Sequence, residues 1–222
     1  MLYILSMEYT SIGKNDLKIS KFALGTWPFA GGELWGHQDD NDSIEAVMEC
    51  YENGINFFDT APGYGDGRSE EVLGKAIKNI RNSVIIGTKI PPADLGKKNL
   101  SISVEKSLKR LGTDYIDLMQ IHWPNHDIPI DETTNELENL IKSGKIKEIG
   151  VSNFGLKDMT EILDELGNIL PSWEDNGMRV PPTRGFNPTS DGGFLTTYIA
   201  VSYTHLRAHE TLRYLVCRLL LE

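Results

Sequence analysis

The feature that most restricts how this chain can fold is a repeat of element type: short apolar, β-branched runs, each followed by a longer segment with apolar residues at helical spacing. The runs at residues 22–24, 55–58, 84–86, 115–121 and 146–151 predict strands. Residues 43–52, 69–79, 101–111 and 131–142 predict the helices between them, and 156–166 a fifth helix after the last strand. Gly54, Gly112 and Gly144 stand where a helix end favours a left-handed residue. From the second strand onward the period is roughly 30 residues, the length of one strand–crossover–strand unit. The pattern is that of an α/β protein with a parallel sheet.

Parallel α/β chains form open doubly wound sheets or closed eightfold barrels, and both carry their chemistry at the carboxyl ends of the strands. The residues that follow the five predicted strands are therefore the informative ones. They are Gly25-Thr26-Trp27; Asp59 and then Tyr64; Lys89; His122-Trp123; and Ser152-Asn153. One or two polar groups from each successive loop converge on a barrel axis, whereas in an open sheet they spread along an edge. The set favours the barrel.

Asp, Tyr, Lys and His without a nucleophile suggest proton transfer. A tyrosine, with a reference pKa of about 10, becomes a proton donor near neutrality when a neighbouring cation stabilises its phenolate. Lys89 is placed to be that cation, Asp59 to hold the ammonium by an ion pair, and His122, as a neutral imidazole, to hydrogen-bond a substrate carbonyl. Such a set protonates a developing alkoxide, so its missing partner is a hydride, most simply from a reduced nicotinamide. No metal-ligand cluster is expected.

Composition narrows the remaining classes. With 22 Lys+Arg against 32 Asp+Glu, the net charge is -10, and basic runs go no further than pairs such as Lys97-Lys98; a duplex-binding surface is not expected. Cys50 and Cys217 lack the number for a disulfide framework and the spacing of a zinc site, which fits a reducing compartment. No run approaches the ~18 apolar residues of a membrane span. A cytoplasmic protein acting on a small molecule, with neither nucleic acid nor membrane as partner, is the expectation.

Several motifs carry a resemblance. Gly25-Thr26-Trp27, Phe58-Asp59-Thr60-Ala61 with Tyr64-Gly65 and Arg68-Ser69-Glu70, Thr88-Lys89, Leu108-Lys109-Arg110-Leu111 with Asp114-Tyr115-Ile116-Asp117-Leu118, Ile121-His122 and Gly150-Val151-Ser152-Asn153-Phe154 occur in this order. Together they resemble the aldo-keto reductase superfamily over about residues 7–172, including an N-terminal hairpin over 8–19. The resemblance implies a (β/α)8 TIM barrel, here incomplete at about five to six units, and NADPH-dependent reduction of an aldehyde or ketone. It implies Asp59, Tyr64, Lys89 and His122 as the catalytic tetrad and Ser152 and Asn153 as partners of the nicotinamide carboxamide. It places Gly25, Thr26 and Trp27 beside the cofactor, Asp59 at the same site, and Trp27 and Trp123 as substrate-pocket walls. A nicotinamide-binding regulatory subunit, as in potassium-channel beta subunits, and an inactive barrel fragment are the alternatives.

The remaining expectations are structural. Ser69 is expected to cap the helix after the Gly63-Tyr64-Gly65-Asp66-Gly67 loop, with Glu70 and Glu71 in its first turn. Arg68 is assigned to solvent, and Met48, Met119 and Met159 to the core. Residues 168–172 begin like a sixth strand, but the family's glutamine does not follow, the last one in the chain being Gln120. Residues 173–222 hold no lysine, five of the eight arginines and no clear periodicity until near the end. The stretch from Val201 to Thr211 is similar to translated sequencing adapter, so 173–222 is expected to be an unmatched tail, non-native or disordered, and 1–172 the barrel portion.

Overall fold

The computed structural model describes residues 7–13, 15–169, 194–195 and 217–218. It opens with an antiparallel hairpin, β1 (Tyr9–Ile12) and β2 (Leu17–Ser20), in which Tyr9 pairs with Ser20 and Ile12 with Leu17. Strand β3 (Phe22–Gly25) follows, then a 3-10 turn at Trp27–Ala30, the one-turn helix α1 (Gly32–Trp35) and helix α2 (Asp40–Glu52). The alternation then becomes regular: β4 (Phe57–Asp59), α3 (Arg68–Ile77), β5 (Ile85–Ile90), α4 (Lys97–Leu111), β6 (Ile116–Ile121), α5 (Ile130–Lys142) and β7 (Ile146–Val151). The dipeptide strand β8 (Phe154–Gly155) leads into α6 (Leu156–Ile169).

Strands β3 to β7 are parallel and lie side by side in chain order. Each of α2 to α5 contacts the next helix in the chain. A doubly wound sheet reverses its strand order at a switch point. Here there is no reversal among the described strands, so the five units form an arc of a barrel. Two further dipeptides, β9 (Phe194–Leu195) and β10 (Cys217–Arg218), pair antiparallel with β8 and with the outer edge of β3. The rest of the predicted tail, 173–222, lies outside the described residues.

The alternation of side chains along the strands separates two cores. On the outer face Leu24, Phe58, Ile86, Met119 and Val151 pack against helix residues such as Val47, Leu73, Val104, Leu137 and Ile162. On the inner face Ala23, Phe57 and Leu118 form a smaller cluster closed by Ile19 of the hairpin. Each fully buried Phe contributes ~1.5–3 kcal/mol from burial. One step further along the strands the inner layer turns polar, with Asp59, Lys89 and Gln120 all buried. The apolar inner floor thus supports a polar inner layer at the carboxyl ends.

Helix ends follow local chemistry. Asp39 caps α2 by accepting from the Asn41 N–H at 2.7 Å. Gly112 ends α4 at φ +64°, with the Thr113 N–H returning to the Leu108 carbonyl at 3.2 Å.

Some expectations are corrected. Ser69 is not the cap of α3: the helix starts at Arg68 behind the left-handed Gly67, and no side chain caps it. Lys89 lies within β5 rather than after it, since the strand runs on through Gly87 to Ile90. Residues 168 and 169 are the last of α6, because its amphipathic pattern carries the helix past Leu166, and 170–172 lie outside the described residues. Met119 and Met159 are in the core as expected, but Met48 is only half-buried.

At Gly74, α3 lies against the end of α4: a Cβ there would lie 2.7 Å from the Leu111 carbonyl oxygen and 2.8 Å from that of Arg110. Both are backbone atoms and cannot rotate away. Gly74→Ala is expected to destabilise the fold by ~1–3 kcal/mol through overpacking, against the ~1 kcal/mol that alanine gains in helix propensity. Urea unfolding measures this, and an unchanged or higher midpoint would show that the two helices separate freely.

Candidate active site

Three successive units bring the predicted polar residues together. Asp59 ends β4, Lys89 is the penultimate residue of β5, and His122 follows β6 directly. Tyr64 comes from the loop between β4 and α3, which is built to hold it. Its N–H bonds the Ala61 carbonyl at 3.1 Å, and its own carbonyl accepts from the Ser69 N–H at 3.2 Å. Gly65 takes φ +64° against Ala30, where a Cβ would lie 3.0 Å from the Ala30 Cβ. Gly67, at φ +91°, lies against the Arg110 side chain in a space a Cβ would invade.

At the centre is a buried ion pair. Lys89 Nζ donates to both Asp59 oxygens at 2.8 Å and to the Thr60 carbonyl at 2.8 Å. It also lies 3.2 Å from the Tyr64 hydroxyl oxygen and 5.0 Å from the centre of its ring. The side chains of Lys89 and Asp59 are only 6% and 1% exposed. Two ions this deep lose several kcal/mol each of hydration, so the pair requires the good geometry and extra acceptors it has. His122 faces the Tyr64 ring edge-on, with centroids 6.1 Å apart. Burial first, and the Lys89 charge second, push its imidazole down to about 4, which leaves it neutral near pH 7.

The other predicted residues surround this centre unevenly. Gly25 pairs with Asp59 in register. Thr26 is fully buried, its N–H and hydroxyl both turned to the Asp59 carbonyl at 2.8 and 3.0 Å. Trp27 stacks on Tyr64 with centroids 5.6 Å apart and meets Trp35 edge-on at 5.4 Å. Asn153 takes a left-handed φ of +61°, and its Nδ2 donates to the His122 carbonyl at 2.8 Å and to Ser152 Oγ at 3.0 Å. Trp123 is 45% exposed beside His122 in the chain.

Three side chains have roles that sequence reasoning did not give them. Arg68, assigned to solvent, has a side chain that is 41% exposed, and its guanidinium also donates to Asp40 at 2.7 Å and to the Gln38 carbonyl at 3.0 Å. Glu70, read as a first-turn acid, is fully buried, accepting from Thr88 Oγ1 and Arg110 Nε, each at 2.6 Å. Gln120 donates to Asp59 Oδ1 at 3.2 Å. Its signal was present in the sequence as an amide at an alternate position between Leu118 and His122. Among the described residues, no group of three or more His, Cys, Asp or Glu side chains could hold a metal ion, and no helix is long and apolar enough to cross a membrane.

Comparison with known proteins adds an independent line. The profile of the aldo/keto reductase family matches residues 21–179. Aldo-keto reductase YhdN of Bacillus subtilis is 46% identical over 166 residues, covering 69% of this chain and 49% of that protein. The NADH-specific methylglyoxal reductase of Escherichia coli is 32% identical, with 89% of this chain and 72% of that protein covered. A probable voltage-gated potassium channel subunit beta of Arabidopsis thaliana is 33% identical, with 77% and 56% covered. Among solved structures, the thermostable aldo-keto reductase Tm1743 with the inhibitor epalrestat superposes with a TM-score of 0.67 at 38% identity, covering 72% of this chain and 58% of that one. An aldo-keto reductase of Klebsiella pneumoniae in complex with NADPH gives 0.64 at 33%, covering 71% and 54%. The chain spans about half the length of the first of these relatives.

The His122 environment yields a pH test. An unfolded imidazole protonates near 6.5, whereas the folded one does so only near 4. Between these values the unfolded chain binds more protons, so the stability contributed by neutral His122 is full above about pH 6.5 and declines as pH falls toward 4. An imidazole NMR titration is expected to show His122 uncharged through pH 5. Lys89→Met is expected to raise its midpoint by removing the second cause. A normal midpoint in the parent chain would show that His122 is hydrated.

Proposed function

Since the chain belongs to the aldo/keto reductase family, we propose that it reduces aldehydes or ketones to alcohols with NADPH, Tyr64 being the proton donor. The observation that carries this is the buried contact series from Asp59 to Lys89 to Tyr64, at 2.8 and 3.2 Å. A phenol hydroxyl beside an ammonium can release its proton because the remaining phenolate is stabilised at contact distance. Asp59 keeps the ammonium charged and aimed. Neutral His122 donates an N–H to the carbonyl oxygen and orients it toward Tyr64. Trp27, stacked on Tyr64, and Trp123 would wall the substrate.

The donor set at the rim fits the nicotinamide end of the cofactor. A carboxamide needs both an acceptor and a donor. Asn153 has its amide nitrogen engaged by His122 and Ser152, which leaves its carbonyl oxygen as the acceptor, with the Ser152 hydroxyl alongside. Ser152 and Asn153 would hold the carboxamide, with the Gly25-Thr26-Trp27 loop beside it. Thr26 shapes the loop there, since its N–H and its hydroxyl are both committed to the Asp59 carbonyl. When bound, the reduced nicotinamide supplies the hydride for the carbonyl carbon. The NADPH complex of the Klebsiella reductase supports this choice of cofactor, and the NADH specificity of the Escherichia relative makes NADH the comparison to run.

The similarity to a channel beta subunit favours one second reading, a regulatory subunit that binds the cofactor without turnover. Cofactor oxidation with a panel of aldehydes and ketones separates the two, and binding without turnover would support the second. For the reductase, Tyr64→Phe is expected to abolish carbonyl reduction, by 10²-fold or more as for loss of a general acid, while NADPH affinity changes little. Equal loss of both would show Tyr64 to be structural.

A further inference from the structure

One polar side chain of the inner layer has no part in this scheme. Gln120 is 2% exposed, and its Nε2 donates to Asp59 Oδ1 at 3.2 Å. An amide is costly to bury, and an aliphatic side chain of similar size would fill the position without that cost. The neighbouring strands nevertheless leave it space. Gly150 of β7 is its partner in register, and a Cβ there would lie 3.0 Å from Gln120 Cγ; a Cβ on Gly87 of β5 would lie 3.5 Å from its Nε2. Neither glycine has a positive φ, so what each supplies is room.

The effect falls on Asp59. Among the described residues its Oδ2 accepts from Lys89 alone, whereas Oδ1 accepts from both Lys89 and Gln120. An ammonium on a flexible four-carbon stem attracts a carboxylate but does not fix its rotation. A second donor, held on a strand, does.

We propose that Gln120 is a positioning residue for the reaction: its amide fixes the Asp59 carboxylate, and through it the Lys89 ammonium against the Tyr64 hydroxyl. The kinetic part rests on the reductase reading, and the geometric part stands without it. Gln120→Met removes the donor at nearly constant volume. Gln120→Glu keeps the shape and sets a second carboxylate against Asp59. Both are made in the complete chain, with thermal unfolding to verify that each folds.

In carbonyl reduction, Gln120→Met is expected to lower kcat about ten-fold with KM nearly unchanged. Gln120→Glu is expected to lose more at high pH and recover as pH falls and the added carboxyl takes up a proton. A residue that only supports the fold would leave the pH profile where it was. A second readout needs no turnover: the rate at which acetic anhydride labels Lys89, relative to Lys142, whose side chain is 67% exposed. Lys89 labelling is expected to rise several-fold in Gln120→Met, because a carboxylate free to rotate holds the ammonium less firmly in its charged, unreactive form. If the parent chain does not reduce carbonyls, the reductase reading fails and the labelling alone decides. Unchanged Lys89 labelling in folded Gln120→Met overturns the proposal in either case.

Discussion

The Asp59–Lys89 pair is the interaction on which the rest of this structure turns. Taken out of water, each ion alone would be strongly destabilising, and even together they need further partners. The fold supplies them from three directions: the Thr60 carbonyl from the chain just past β4, the Tyr64 hydroxyl from the following loop, and the Gln120 amide from β6. Phe57, Leu118 and Ile19 form an apolar cluster on the same inner face of the strands. Removing either partner leaves a charge in a site that cannot hydrate it, so the pair constrains every strand that touches it.

Chain-ordered parallel strands make such a site inexpensive to assemble. Asp59, Lys89 and His122 come from consecutive units, each at or beside the carboxyl end of its strand, and neighbouring strands set their spacing by register. Because the described strands do not reverse order, these ends turn toward one interior. Helices α2 to α6 bury the opposite strand face through a separate apolar cluster, so packing and chemistry use different sides of the same strands. This division explains why β6 is buried along its whole length and still carries the Gln120 amide on its inner face.

Much of this was legible in the sequence, and the exceptions share a cause. Strand β7 has the predicted bounds, and β6 differs by one residue, because long apolar runs leave little choice. Helix α4 starts at Lys97 rather than Ser101 because its polar first turn carries no periodic signal. Lys89 was read as a loop residue because Gly87 interrupts the apolar run, although glycine there makes room between Phe57 and Gln120. Glu70 looked like an acid favoured by a helix N-terminus, a local reason sufficient in itself, while its actual partners are 18 and 40 residues away. Local pattern gives the kind and order of the elements and their approximate bounds. It does not reveal which distant side chains meet inside.

Glu70 also shows why the tyrosine loop is as well held as the ion pair. Thr88, which donates to Glu70, precedes Lys89 in β5; Arg110, the other partner, fills the space beside Gly67. One buried carboxylate therefore joins the strand that bears the lysine, the helix that follows the tyrosine loop, and the helix against which that loop turns. On the opposite side Ala30 bears on Gly65, and Trp27 stacks on the Tyr64 ring. A hydroxyl that must stay at contact distance from an ammonium gains from being fixed independently of it. If the loop were held by Lys89 alone, any motion of the lysine would carry the tyrosine along, and the distance between them would be maintained while their direction toward a substrate was lost. Anchoring Tyr64 through α4 and the Trp27 loop, and Lys89 through Asp59, makes the 3.2 Å contact the meeting of two separately supported groups.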